Sequence, residues 1–316
     1  MSVYTEVSTI RLKQFLEMFS IGELISHEGI GAGIENTNYA VTTTQGQFIL
    51  TLFEQMSAED ASYYLDLMAY LADRSLPCAR PIENNRGQRL HELCQRPAAL
   101  VQKLDGHHIE RPSADHCRQI GIAMAKMHLA AMDYPHPKHN TRGREWWTHT
   151  LSQLQPVLDN DVLKCIRQEI QYQQEQVHTD MPMGMIHADL FRDNALFDHD
   201  HLSGIIDLYY ACHDYLLYDI AVTANDWCTD KHGQLEAGRT QALLHGYQSI
   251  RPITEEEWQS WPAMLRAAAL RFWLSRLQDM HFPREGHLTH IKDPGYFETI
   301  LKQHQKQALP HSLSNT

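Results

Sequence analysis

The periodicity of apolar residues changes once along this chain, near residue 104, so two different architectures must share it. Before that point the pattern is mostly period two. Tyr39, Val41 and Thr43 alternate with polar neighbours, Gln45-Gly46 signals a turn, and FILTLF (48–53) follows as a strand. Upstream, HEGIGAGIENTNYAV (27–41) carries glycines at 29, 31 and 33 and reads as a Gly-rich turn between two strands. Two helices interrupt the strands. Residues 8–19 place Ile10, Leu12, Phe15, Leu16 and Phe19 at helical spacing behind Ser8 or Thr9. Residues 57–74 start on Ser57, with Glu59 and Asp60 complementing the helix dipole. CARPI (78–82), RLHELC (89–94) and PAALVQKL (97–104) read as short strands. After Leu104-Asp105-Gly106 the period becomes helical over 113–131, 151–178 and most of 215–306. Short apolar runs and acidic turns fill 183–210. The expected fold class is α+β: a β-rich N-terminal lobe (1–104) and a mainly helical C-terminal lobe (105–316), joined by a short hinge.

Composition narrows the partners. At roughly 150 residues per domain, 316 residues suffice for two lobes with a sizeable core. Lys and Arg number 27 against 39 Asp and Glu, a net charge of −12. Nucleic acid and anionic membranes, which select basic surfaces, are not expected as main partners, although an acidic balance leaves room for a local basic groove. A small anionic ligand would need a metal ion or a local cationic pocket. The His-x-x-His pairs at 136–139 and 287–290 have no Cys or carboxylate at ligand spacing and read as surface histidines. The six cysteines form no C-x-x-C pair. Cys78, Cys117 and Cys212 sit among apolar residues, as reduced core thiols of a cytoplasmic protein. The first residues show no secretory signal, and no apolar run approaches the roughly 18 residues of a membrane span. MLRAAALRFWLSRL (264–277) is interrupted by Arg266, Arg271 and Arg276.

The chemistry lies in MIHADLFRDNALFDHDHLSGIIDLYYA (185–211). It holds His187-Ala-Asp189, then Asn194 five residues after Asp189, then Ile205-Ile206-Asp207. Phosphoryl transfer from ATP to a hydroxyl needs these residue types. Mg²⁺ takes oxygen ligands, one or two of them from protein, and an Asp with an Asn carbonyl can serve. A second Asp accepts the proton of the attacking hydroxyl. The strand LSGII after the turn DHDH is expected to carry Asp207 towards Asp189 and Asn194. Asp193, Asp198 and Asp200 read as solvated turn residues.

The chain resembles the aminoglycoside phosphotransferase and choline kinase superfamily, which has the two-lobed protein-kinase-like fold, and within it the homoserine kinases of threonine biosynthesis. The segments carrying the resemblance are GIENTNYAV, FILTLFE, HADLFRDNALF and GIIDLYYACHDYLLYDIAVTANDWC. The resemblance implies ATP and Mg²⁺ as cofactors and a small-molecule acceptor, L-homoserine, phosphorylated at its side-chain hydroxyl. Asp189 matches the catalytic base, and Asn194 and Asp207 match the metal ligands. His187 and Asp219 match residues that support the catalytic loop. Gly31, Gly33 and Asn36 belong to the loop over the phosphates, and Gln102, Lys103 and Leu104 fall where the hinge meets adenine. Thr51 stands where many relatives carry a lysine; Lys103 or Arg192 could assist the phosphates instead. The acceptor's ammonium and carboxylate need groups among Arg192, Tyr209, Tyr210, Asn225, Asp226 and Trp227. Asp226 and Trp227 read equally well as a capping carboxylate and a core-edge aromatic. Arg271 reads as a surface or lobe-packing residue. Choline, an aminoglycoside or a sugar stays open as the acceptor, as does a nucleotide-binding module without turnover.

Overall fold

Alternating burial along 37–43 shows why this stretch of the first hundred residues forms a strand with one face inward. The computed structural model describes residues 4–31, 36–176, 180–283 and 292–306. Following α1 (Thr9–Leu16), the strands β1 (Leu24–Ile30), β2 (Thr37–Thr43) and β3 (Gly46–Leu52) form an antiparallel meander. Thr37, Tyr39, Val41 and Thr43 face inward from β2. After α2 (Ala58–Asp73), β4 (His91–Leu93) and β5 (Arg96–Gln102) complete the order β1-β2-β3-β5-β4. Leu12, Phe15 and Leu16 of α1 close the core over Tyr39, Val41, Leu50 and Leu100. CARPI forms isolated bridges, Cys78 to Ile205 and Pro81 to Val101, and no strand. Pro81 has no N–H to donate, so a continuous ladder is denied there.

The rest is helical around three short strand pieces and a return strand. α3 (Ala114–Ala130) is followed by α4 (Arg144–Leu154) and α5 (Asn160–Glu175). The single helix expected over 151–178 is thus the end of α4 and all of α5. Pro156 lies in the break, and Asp159 is the cap residue of the new helix. β6 (Met183–Ile186) pairs with β9 (Cys212–Tyr215), and β7 (Ala195–Asp198) with β8 (His201–Ile205). Then come α6 (Leu216–Trp227), α7 (Ala237–Gln248), α8 (Glu255–His281) and α9 (Gly295–Lys306). α3 and α7 approach so closely that a Cβ at Gly121 would strike the Leu243 carbonyl. No helix among the described residues is long and apolar enough to cross a membrane.

The chain divides into two compact units, and not by one cut. The first unit runs to Gly106 and takes back Ser203–Tyr209; the second holds His107–Leu202, Tyr210–Pro283 and α9. The expected boundary between 104 and 105 is therefore discontinuous. Residues 203–209 join the first unit because the Ile205 N–H donates to the Pro77 carbonyl at 2.6 Å and Tyr209 packs edge-on against Phe53.

α9 is pinned to α6 by a buried histidine. His304 Nε2 lies 2.8 Å from Asn225 Oδ1, whose amide Nδ2 donates to the Leu265 carbonyl at 2.9 Å. Burial, with the charge of Arg266, lowers the His304 pKa from 6.5 to about 4. Between those values the unfolded chain binds a proton that the folded chain refuses, so stability falls as pH drops through the window. The loss should reach roughly 3 kcal/mol near pH 4. His304→Gln removes this titration. Urea midpoints of wild type and variant, measured from pH 7 to 4.5, should converge or cross as pH falls; a constant difference would show that His304 titrates normally.

Candidate active site

In the second unit, the segment that carries Asp189 begins with a strained residue. Directly after β6, Ala188 adopts a φ of 64°, which costs a residue with a Cβ on the order of 1 kcal/mol or more. Asp219, in the first turn of α6, holds this turn. Its Oδ2 accepts from the His187 N–H at 2.9 Å and its Oδ1 from the Ala188 N–H at 2.8 Å. His128 of α3 adds its Nε2 at 2.9 Å, and its Nδ1 lies 2.8 Å from the Tyr247 hydroxyl. Asp219, His187 and His128 are all fully buried. Burial alone would raise the Asp219 pKa. The hydrogen bond and positive field of His128, with His187 and its backbone N–H, outweigh it and hold the carboxyl below the usual range. The His187 ring in turn accepts the Asp189 N–H at 3.3 Å.

α6 grips the same segment along one face. Residues 219, 223, 226 and 227 are spaced for a single helix stripe. Thr223 Oγ1 and Trp227 Nε1 donate to the Leu190 carbonyl at 3.4 and 3.1 Å. Asp226 accepts the Arg192 N–H at 2.8 Å and the guanidinium at 3.0 and 3.1 Å, a bidentate pair. Arg192 Nη1 also donates to the Glu110 carbonyl at 2.7 Å. Two expectations change here. Arg192 and Asp226, each offered as a substrate or phosphate contact, satisfy one another. Trp227, a third substrate candidate, has no exposed surface and belongs to the core. Asn194 donates its Nδ2 to the Asp189 carbonyl at 2.8 Å and to Asp189 Oδ2 at 3.3 Å. That orientation leaves the Asn194 Oδ1 as the amide atom suited to a hard cation.

The first unit holds the remaining candidates. Asp207 follows β8 with a φ of 62° and is exposed. Its charge, after burial, pushes the Tyr209 phenol upward. The Tyr209 hydroxyl hydrogen-bonds Thr51, whose Oγ1 donates to Asn38 Oδ1 at 2.7 Å. Tyr209 also meets Phe53 and Tyr64 edge-on. Thr51 on β3 therefore belongs to a neutral Thr51–Tyr209–Asn38 arrangement. Glu59 is exposed on α2. The N–H groups of Gln102 and Lys103 donate to the Arg80 and Gln47 carbonyls, and Lys103 Nζ to Gln47 Oε1 at 2.8 Å. The Leu104 side chain lies on Gly204, where any Cβ would collide with it. Gly31 is exposed and Asn36 half-buried; Gly33 lies outside the described residues.

His136 and His139 are exposed, and His287 and His290 lie outside the described residues. Among the described residues no three His, Cys, Asp or Glu gather as a metal-binding group. All six cysteines are free thiols. Sequence reasoning missed His128 and Thr223 as loop supports. The four-residue spacing of Thr223 from Asp219 was the available signal; His128 had none. Of the two readings of Arg271, surface or packing, its 6% exposure removes the first.

Residues 26–253 match the phosphotransferase enzyme family. Homoserine kinase from Methylobacillus flagellatus is 49% identical, covering 96% of this chain and 95% of its own length. That from Neisseria meningitidis is 40% identical over 95% of this chain and 99% of its own. The chain belongs to the phosphotransferase enzyme family, among the homoserine kinases. Solved structures carry the same fold at low identity. An amicoumacin kinase in complex with AMP-PNP and Ca²⁺ superposes with a TM-score of 0.71 at 14% identity, covering 94% of each chain. Spectinomycin phosphotransferase superposes at 0.67 with 12% identity, covering 95% of this chain and all of its own. This kinase therefore has the α+β, protein-kinase-like fold of these phosphotransferases.

Removing the carboxylate at 219 would strand two backbone N–H groups and His128 in a dry interior. Asp219→Ala should destabilise the kinase by about 3–5 kcal/mol. Denaturant titration reads this directly; an unmoved midpoint would mean that the loop finds other acceptors.

Proposed function

We propose that this kinase transfers the terminal phosphoryl group of ATP to the side-chain hydroxyl of L-homoserine, with Mg²⁺. The observation that carries the reading is the near full-length similarity to homoserine kinases at 40–49% identity. Asp189 orients the acceptor hydroxyl and takes its proton as the oxygen–phosphorus bond forms and the bond to the departing ADP breaks. Asn194 Oδ1 and the Asp207 carboxylate would be the oxygen donors for the cation, one or two protein ligands being usual for Mg²⁺. When bound, that cation would neutralise charge on the phosphates. The amicoumacin kinase relative holds a nucleotide analogue with Ca²⁺, which supports a divalent ion here.

Adenine recognition follows from what the hinge has left over. With the Gln102 and Lys103 N–H groups engaged, the Leu104 N–H is the donor available to a purine; it has no acceptor among the described residues. The backbone at Gly31 and Asn36 would face the phosphates, where amide dipoles suit anions.

Two measurements test the reading. In a phosphotransfer panel with Mg·ATP, L-homoserine should exceed choline, kanamycin and simple sugars in kcat/KM by tens to thousands of fold, because a buried charged group left unpaired costs about 2–5 kcal/mol. A preferred acceptor without a carboxylate would transfer the chain to a different specificity. Asp189→Asn should retain ATP binding and lose on the order of 10²–10⁴ in kcat. Near wild-type turnover would remove Asp189 from the base role.

A further inference from the structure

Three arginines lie along α8, and two of them are partnered. Arg266 forms a bidentate pair with Glu169, its Nη2 2.6 Å from Oε2. Arg276 donates from Nη1 to the Asp293 carbonyl at 3.0 Å. Arg271 is 6% exposed, and among the described residues its guanidinium has neither a hydrogen bond nor an ion pair. Its neighbours are aromatic faces: its Cζ stands 3.8 Å from the Phe272 ring centroid and 5.5 Å from that of Tyr210. A buried guanidinium without a counter-charge is costly, and ring faces recover only part of what water supplied.

The carboxylates whose fields reach the same neighbourhood are committed elsewhere. Asp214 and Asp219 both act, with Arg271, on the Cys212 thiol and the Tyr218 phenol. Asp214, however, accepts from Asn140 Nδ2 and the Tyr215 N–H, each at 2.7 Å. Asp219 already accepts from His128 and two loop N–H groups. The position is also tied to the chemistry. Phe272, next to Arg271, packs at 4.4 Å on Phe191, two residues beyond Asp189. Tyr210 is three residues beyond Asp207, and a second arginine, Arg142, stands 6.0 Å from its ring on the same unit.

We infer that Arg271, with the Tyr210 ring against it, receives the carboxylate of the acceptor. The inference rests on the homoserine reading and adds the residue that makes an α-amino acid the substrate. Positive charge without a counter-charge among the described residues, beside the helix that holds the Asp189 segment, is the arrangement a carboxylate-bearing acceptor completes.

The test compares L-homoserine with 3-aminopropan-1-ol, which is homoserine without its carboxylate, in wild type, Arg271→Gln and Arg271→Lys. Wild type should favour homoserine, and Arg271→Gln should lower that preference on the order of 100-fold. Most of the change should appear in the KM for homoserine, with the KM for ATP steady. Arg271→Lys, which keeps the charge, should recover part of the preference. Thermal melts establish that each variant is folded, and the Lys variant carries the test if the Gln variant is not. Equal losses for both acceptors in the folded variants would make Arg271 a packing residue and overturn the inference alone. A wild-type enzyme that uses only acceptors without a carboxylate would overturn the homoserine reading and the inference together.

Discussion

A fully buried carboxylate is tolerable only where hydrogen bonds replace the water it has lost, and the helical unit is organised around meeting that condition at Asp219. Two backbone N–H groups of the catalytic turn and the His128 ring supply the donors. The relay continues outward. Arg251 donates to the Tyr247 hydroxyl, and a buried, bidentate Glu257 holds Arg251. Helices α3, α7 and α8 thus all contribute to one acceptor on α6. The strained φ at Ala188 persists because the network over-determines it. Asp189 is positioned as a consequence: its N–H rests on His187, and Asn194 holds its carbonyl.

The sequence exposed the loop and hid its surroundings. His-x-Asp with Asn five residues on, and an Asp behind two isoleucines, is a pattern of local spacing, so the proposal for Asp189, Asn194 and Asp207 can be made from sequence. The partners of Arg192, Asp226 and Trp227 could not be read because their neighbourhood is not local. Asp226 is 34 residues from Arg192, and the Trp227 acceptor is the Leu190 carbonyl, 37 residues away. Period and polarity cannot show that two candidate ligands neutralise each other. The helical break at Pro156 was legible but absorbed into a longer amphipathic run. CARPI failed as a strand for a reason its own proline announces. Arg271 was illegible in a different way: α8 is apolar around most of its circumference, so an arginine within it has no evident polar face to belong to.

The third strand shows a substitution of means. A lysine there would bring positive charge to the nucleotide. Instead Thr51 shares a neutral hydrogen-bond set with Tyr209 and Asn38, beneath the aromatic edges of Phe53 and Tyr64. The buried Glu54 of this region is answered by Arg96 and Thr37, and not by a strand lysine. Under the proposed function, charge compensation for ATP would fall more heavily on a divalent ion and on backbone amides, in a protein whose net charge is −12.

The first unit is not contiguous in sequence, and this sets an order on its birth. Its sheet is translated by Gln102, yet Ser203–Tyr209 must still arrive to meet Pro77, Leu104 and Phe53. At 5–20 residues per second, the ribosome reaches Tyr209 roughly 5–20 s after Gly106. During that interval the Pro77 carbonyl lacks its donor and Leu104 its glycine floor. A chain cut at the hinge would remain in that unfinished state, so the amino-terminal unit can mature only after about two thirds of the polypeptide has been made.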